Sequence, residues 1–270
     1  MTSTSTIRCG RRGVLAAVAL TLVGVRSARA QTVPDIKAKG KLVVGVMVDV
    51  PPFALLDADN LPSGYDADVA KALAQRMGVK LEMVVVTGPN RIPYLLTGKV
   101  DMLVAVLGIV PERTKIVSFS EPYAGFSNFI YARRELPIHS LADLKGLTIA
   151  VPRANTSDIM LTREAPKGIN LLRFDDDAAV RSALLARQVD GTSMSSINLP
   201  DVEKIIGKGV YERKFDLLTQ VQGVAVRPGQ TELLAWINAQ LAEMKKSGEL
   251  AAINAKWTGQ EMPDLSMPKT

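Results

Sequence analysis

The 270-residue chain has one cysteine, Cys9, and one histidine, His139. These two scarcities exclude a great deal of chemistry. Without a second thiol there is no disulfide framework, iron–sulfur cluster or cysteine-type zinc site. Without a second histidine there is no H-E-x-x-H zinc pair, and His139, close to Pro137 in a loop-like stretch, reads as solvated surface rather than part of a catalytic triad. No G-x-G-x-x-G opens a helix, and Gly88 stands too far from Gly98-Lys99 for a phosphate loop. The Gly191–Ser195 stretch lacks the glycine at 195 that a nucleophile elbow requires. No metal, cofactor or catalytic set is expected.

A surplus of acid or base is also missing once the N-terminus is set aside. The formal charge is +6, from 33 Lys+Arg against 27 Asp+Glu. Residues 1–30 hold Arg8, Arg11, Arg12, Arg26 and Arg29 and no acid, so 28 basic and 27 acidic residues remain beyond them. A near-neutral chain without a basic stripe releases few counterions from a phosphate backbone, so nucleic acid is not an expected partner.

Those first thirty residues read as an export signal. A basic stretch precedes the apolar run Gly13–Val25, which ends near Ala28-Arg29-Ala30, the layout of a signal peptide cleaved near Ala30. Thirteen apolar residues span roughly 20 Å as a helix, short of the roughly 30 Å bilayer core, which weighs against a permanent span. Arg11-Arg12 resembles a twin-arginine signal, although paired arginines also occur in ordinary export signals. Cys9 precedes the apolar run and leaves with it. The mature chain is then soluble, without thiols, and long enough to need no covalent staple.

Runs rich in Val, Ile and Leu at Leu42–Val48, Leu81–Val86 and Asp101–Val110 alternate with helical patterns, the order of an α/β protein with buried sheets. Tyr65–Met77 places Val69, Leu73 and Met77 on one helical face between Gly64 and Gly78. Asp66 and Asp68 fall in its first turn, where the helix dipole favours anions. Short helices are expected over Asn90–Leu96, from Pro111 and over Ser140–Leu144, and another from Asn155. Leu147–Val151 and Gly223–Arg227 read as strands. Asp175-Asp176-Asp177 reads as the capping, charge-balancing start of the helix Ala178–Arg187 rather than as a metal site. Thr231–Lys246 forms a strong helix with Leu234, Ile237, Leu241 and Met244 on its apolar side, and Met262–Thr270 reads as a loose tail.

The remaining chemistry is arginine beside turns. Arg113 falls in the first turn of the helix opened by Pro111, and Arg91 follows Gly88-Pro89-Asn90 at the start of another. Each is either solvated surface or a fork for a carboxylate at a helix N-terminus. Asn155-Thr156-Ser157 is likewise either a plain cap or part of an anion site. Together they fit a small carboxylate held between two lobes.

From Lys39 to about Gly259 the sequence resembles the periplasmic amino-acid-binding proteins that feed ABC importers. The matching blocks are Gly40–Val46, Pro51-Pro52-Phe53, Gly64–Ala70, Asn90–Pro93, Gly98–Asp101, Pro111-Glu112-Arg113, Phe119–Tyr123 and Leu141–Gly146. The resemblance implies a type II periplasmic-binding fold: two α/β lobes joined by two crossing strands, closing by hinge motion over a ligand in the cleft. Lobe 1 is expected over 36–127 plus 222–258, lobe 2 over 128–221, and a tail over 259–270. It also implies a periplasmic monomer that hands its ligand to an inner-membrane ABC permease, without catalysis.

The family's carboxylate-binding arginine maps onto Arg113, the Asn-Arg pair of its acidic-amino-acid branch onto Asn90-Arg91, and its lobe 2 helix-start contact onto Asn155 and Thr156. The stacking aromatic falls on Val50, with Phe53 of the Pro-Pro-Phe turn also placed at the ligand. Two hydroxyl positions become Val106 and Gly108. The aspartate that pairs with the ligand's ammonium becomes Ser195. Either Asp49 or Asp158 takes its place, or the ligand has no ammonium, since a buried ammonium without a partner is costly. The less polar set favours a small apolar or aromatic carboxylate over a basic amino acid. The rival reading is a cyclohexadienyl-dehydratase-like enzyme on the same fold. It needs a general acid, and Ser195–Asn198 offers none.

Overall fold

The computed structural model describes Met1, residues 32–207 and residues 209–266; the expected signal segment lies almost wholly outside the described residues. The first half runs α1 (Val33–Lys39), β1 (Lys41–Val46), β2 (Leu55–Leu56), β3 (Pro62–Ser63), α2 (Tyr65–Met77), β4 (Lys80–Val85), α3 (Arg91–Leu96), β5 (Met102–Leu103), α4 (Pro111–Thr114) and β6 (Ser118–Arg133). After a 3-10 turn at Leu141–Leu144 come β7 (Thr148–Pro152), α5 (Thr156–Glu164), β8 (Asn170–Phe174), α6 (Asp177–Leu185), β9 (Gly191–Ser195), α7 (Leu199–Ile206), β10 (Tyr211–Val226), α8 (Thr231–Lys246) and α9 (Glu249–Thr258).

The helix boundaries follow from local chemistry. Gly78 ends α2 in the left-handed conformation at φ 74°, and its N–H returns to Ala74 and Gln75, a cap that glycine adopts without a Cβ clash. Asn155 and Asp176 cap α5 and α6 by accepting from Asp158 N and Ala179 N. On α8 the fully buried positions are Leu233, Ile237, Leu241 and Met244. The expected Leu234 is only half-buried, because the helix is rotated to bring Leu233 onto the sheet.

The sheet order β4-β1-β5-β10-β6-β9-β7-β8 explains the division into two lobes. β1 pairs parallel with β4 and β5, and β7 pairs parallel with β8 and β9. These are two separate parallel units. The long strands β6 and β10 join them as an antiparallel pair from Ser118/Val226 to Arg133/Tyr211, so both run through each lobe. Their register shifts between Gln222 and Ala225, and such bulges bend and twist a strand.

Each lobe closes its own core. The larger core joins residues before the crossing strands, such as Leu42, Leu73 and Leu103, to Ile237, Leu241 and Leu250 after them. Phe129, Tyr131, Val180 and Leu184 form one cluster of the other lobe, and Ile149, Val151 and Leu161 a second. The chain thus leaves the first lobe along β6 and returns along β10. Past α9, Asn254 Nδ2 donates to Gln260 O at 2.7 Å, Met262 packs on the first core, and Leu265 lies beside Gly125 on β6. The segment read as a loose tail is therefore packed as far as Leu265. Among the described residues no helix is long and apolar enough to cross a membrane.

Parallel strands place their loops at one end, and ligands in such sheets bind beyond the carboxyl ends of the strands. Here the loops after β1, β4 and β5 face those after β7, β8 and β9. The cleft between them occupies about 780 Å³, open mouth included.

Candidate functional site

Two buried arginines of the first lobe meet one carbonyl of the second. Arg91, the first residue of α3, donates from Nη1 to Ala105 O at 2.7 Å and from Nη2 to Ala154 O at 3.3 Å. Arg113, in α4, donates from Nη1 to Gly108 O at 2.8 Å and Thr156 Oγ1 at 3.3 Å, and from Nη2 to Ala154 O at 2.8 Å. Burial pushes the Arg91 guanidinium down to about 10. Burial, and then the neighbouring Arg91 charge, pushes Arg113 well below the usual arginine range. Two guanidinium groups on one neutral oxygen form a site that an anion satisfies far better, because a carboxylate takes a planar fork with two charge-assisted bonds.

The carbonyls facing the arginines are held by the same device in both lobes. Val106 and Ala154 have left-handed backbones, at φ 49° and 58°, a conformation that costs about 1–3 kcal/mol for residues with a Cβ. Val106 N donates to Asp66 Oδ2 at 2.7 Å and Ala154 N to Asp158 Oδ2 at 2.9 Å. Each aspartate sits in the first turn of a helix, α2 or α5. Asp66 also accepts from Tyr123 Oη at 2.8 Å, and burial raises its carboxyl to about 7. Asp158 is ion-paired to Arg173 at 2.8 Å, which removes it from the acids free to meet a ligand.

Four acids line the cleft, among them Asp49, the other candidate. Asp49, after β1, and Asp175, Asp176 and Asp177, before α6, line it from opposite lobes. Burial raises Asp177 to about 7, with the Asp49 charge as the next cause. Burial also raises Asp49, and the Asp176 charge adds to the rise. Asp176 is the expected helix cap, but the same turn brings Asp177 to the ligand space. Among the described residues no group of His, Cys, Asp or Glu has a metal-holding arrangement.

The structure brings together Val50, Arg91, Asn155, Thr156 and Ser195, which all line the cleft. Gly108 and Arg113 lie directly behind Thr156 rather than on the lining. Phe53 is in the first core, stacked on Tyr65 at 4.8 Å with Phe126 edge-on at 5.5 Å, and Phe126 reaches the cleft in its place. Sequence reasoning missed Asp177, Asn128, Asn198 and Gln220 as lining residues. The run of three acids was the one available signal, and it also fitted a helix cap.

Two α/β lobes on a pair of crossing strands, with charged and polar groups facing each other across the cleft, define a hinged small-molecule-binding protein. The chain belongs to the bacterial extracellular solute-binding proteins, family 3, whose family model matches residues 42–260. The L-cystine-binding protein TcyJ of Escherichia coli is 26% identical, over 94% of this chain and 97% of that one. The arginine-bound form of ArgBP from T. maritima superposes with a TM-score of 0.70 at 33% identity, covering 78% of this chain and 99% of the other. An ancestral amino acid-binding protein, described as a precursor of cyclohexadienyl dehydratase, gives a TM-score of 0.73 at 33% identity, over 84% and 98%.

Proposed function

We propose that this protein is the exported, monomeric binding component of an ABC importer and closes over a zwitterionic amino acid without transforming it. The observation that carries this reading is the presence of both signs of charge at one cleft: Arg91, Asp49 and Asp177 line it, and Arg113 stands behind Thr156 with its guanidinium on the same Ala154 O as Arg91. The ligand's carboxylate takes the place of Ala154 O on the arginines, with Thr156 beside it. Its ammonium lies between the two aspartates, which do the work of the aspartate missing at Ser195. The relatives named for cystine and arginine bind ligands with both charges, which supports this choice over an ammonium-free carboxylate. The signal segment up to about Ala30 directs the chain to the periplasm. Lobe 1 comprises 36–127 plus 222–258, lobe 2 comprises 128–221, and 259–270 follow as the C-terminal segment.

Isothermal titration of the mature protein with the twenty amino acids tests this reading, and at least one should bind at micromolar Kd or tighter. The acids set the pH dependence. A bound cation favours the ionised carboxylate, so below about pH 7, where Asp177 holds its proton, binding must expel that proton. Affinity should weaken toward pH 5, by at most tenfold per pH unit for each proton released. Binding that is flat from pH 5 to 8 would remove Asp177 from the site.

One observation favours a second reading. A carboxyl raised to about 7 in a cleft is what a general acid requires, and one structural neighbour is described as a dehydratase precursor. Incubation with prephenate and arogenate decides it: carbon dioxide release would establish the enzyme, and unchanged substrate would leave the binding protein.

A further inference from the structure

The floor of the cleft differs from its walls. Asn128 on β6 and Ser195 on β9 are register partners, so their side chains share one face of the sheet. Both residues are under a tenth exposed, at 6% and 9%. The Asn128 Nδ2 and Ser195 Oγ atoms are fully shielded and have no hydrogen-bond partner. Gln220, from β10, is equally buried, and its Nε2 reaches only Val106 O at 3.5 Å. Asn198, just past β9, adds another buried amide. Every polar side chain on this floor is uncharged.

The charges of the cleft are elsewhere: Asp49 and Arg91 on the first lobe, Arg153, Asp175, Asp176, Asp177 and Arg181 on the second. A guanidinium or ammonium carried to the floor would lose its water among neutral groups. The cation next to the floor, Arg91, already donates from Nη1 to Ala105 O and to Val106 O, the oxygen that Gln220 Nε2 also reaches. An aliphatic side chain would be accommodated beside Phe126 and Val202 but would leave the Asn128 and Ser195 groups unpaired. Buried polar groups without partners penalise the wrong ligand more strongly than a missing methylene does. An amide or hydroxyl both donates and accepts, so it can pair with both atoms without bringing a net charge to the floor.

We propose that this floor is a side-chain subsite for an uncharged hydrogen-bonding group, making the ligand an amino acid with a neutral polar side chain. The inference rests on the amino-acid reading above, with the ammonium at Asp49 and Asp177. Asn128 and Ser195 then form a seat for an amide or hydroxyl.

Titration of the mature protein with glutamine, asparagine, serine, threonine, arginine, glutamate and leucine tests it. At least one of the first four should bind 30-fold or more tightly than arginine, glutamate and leucine. Asn128→Leu should reduce that advantage over leucine at least tenfold, while the unliganded thermal midpoint holds or rises because a buried orphan is removed. A purely structural asparagine would instead lower the midpoint and leave the selectivity unchanged. Tightest binding of arginine, glutamate or leucine would overturn the subsite while leaving the amino-acid reading in place. An unchanged selectivity in Asn128→Leu would do the same. Failure of every amino acid to bind would overturn both.

Discussion

Arg113→Lys should lower ligand affinity at least 100-fold while leaving the fold intact. Arg113 is 3% exposed and donates to Gly108 O, Thr156 Oγ1 and Ala154 O. A carboxylate entering there gains a planar fork of two parallel bonds, and a lysine ammonium offers a single point of charge on a flexible stem. Losing a buried, charge-assisted contact costs about 2–5 kcal/mol, and 1.4 kcal/mol corresponds to tenfold in Kd. The variant keeps a cation beside the same carbonyls, so its far-ultraviolet circular dichroism should match that of the parent. Titration calorimetry with the tightest-binding amino acid checks the prediction. An unchanged Kd would mean that the carboxylate is seated elsewhere.

Gly88→Ala should weaken binding at least tenfold through closure, since Gly88 only flanks the ligand. A Cβ built on Gly88 would stand 2.7 Å from Arg153 O, a backbone atom of the other lobe. That is closer than real Cβ contacts come, and a backbone carbonyl cannot swing aside as a side-chain tip can. Gly88 does not have a positive φ, so alanine fits the first lobe's own conformation and the clash arises only when the lobes meet. Apparent affinity falls in proportion to the fraction of molecules able to close. The unliganded thermal midpoint should stay within about 2 °C of the parent's, because each lobe keeps its core and a 1 kcal/mol change moves a domain of this size by roughly 2–4 °C. A lowered midpoint with undiminished affinity would mean that Gly88 supports the fold of its own lobe and does not limit closure.

The elements legible in the sequence are those specified by local signals. α2 runs Tyr65–Met77 and α8 Thr231–Lys246, as expected, because spacing and flanking residues define them without reference to other parts of the chain. Asp101–Val110 reads as one strand, yet only Met102 and Leu103 pair within β5. Val106 turns left-handed there because Asp66 accepts its N–H, and no local pattern announces that bond. The expected strand Gly223–Arg227 is the end of a sixteen-residue crossing strand, whose earlier half carries too many polar residues to read as buried.

The site was legible in the same uneven way. Arg91 and Arg113 stand beside turn residues that mark helix starts, so a carboxylate fork was one of the two readings open for each, and burial removes the solvated-surface reading. The convergence of both on Ala154 O depends on a loop of the other lobe. Asp66 reads as a charge favoured by the helix dipole and is instead a buried group bonded to Tyr123 and Val106. Asp177 reads as part of a cap. Its place in the cleft follows from the start of α6 beyond β8, and the Asp49 that shares the cleft comes from the other lobe, far away in sequence.

Closure of the two lobes over a bound amino acid must bring labels on opposite lobes to a new separation, and the chain's lack of cysteine beyond Cys9 lets such labels be placed. Asp59 and Lys167 are exposed and belong to different lobes. Replacing both with cysteine in the mature protein gives two sites for spin labels, whose separation pulsed electron–electron resonance measures. The distance distribution should narrow and move to a new value when the tightest-binding amino acid is added. Gly88→Ala should suppress the change. One unmoving distribution with saturating ligand, in a protein shown by calorimetry to bind it, would contradict closure as the basis of binding.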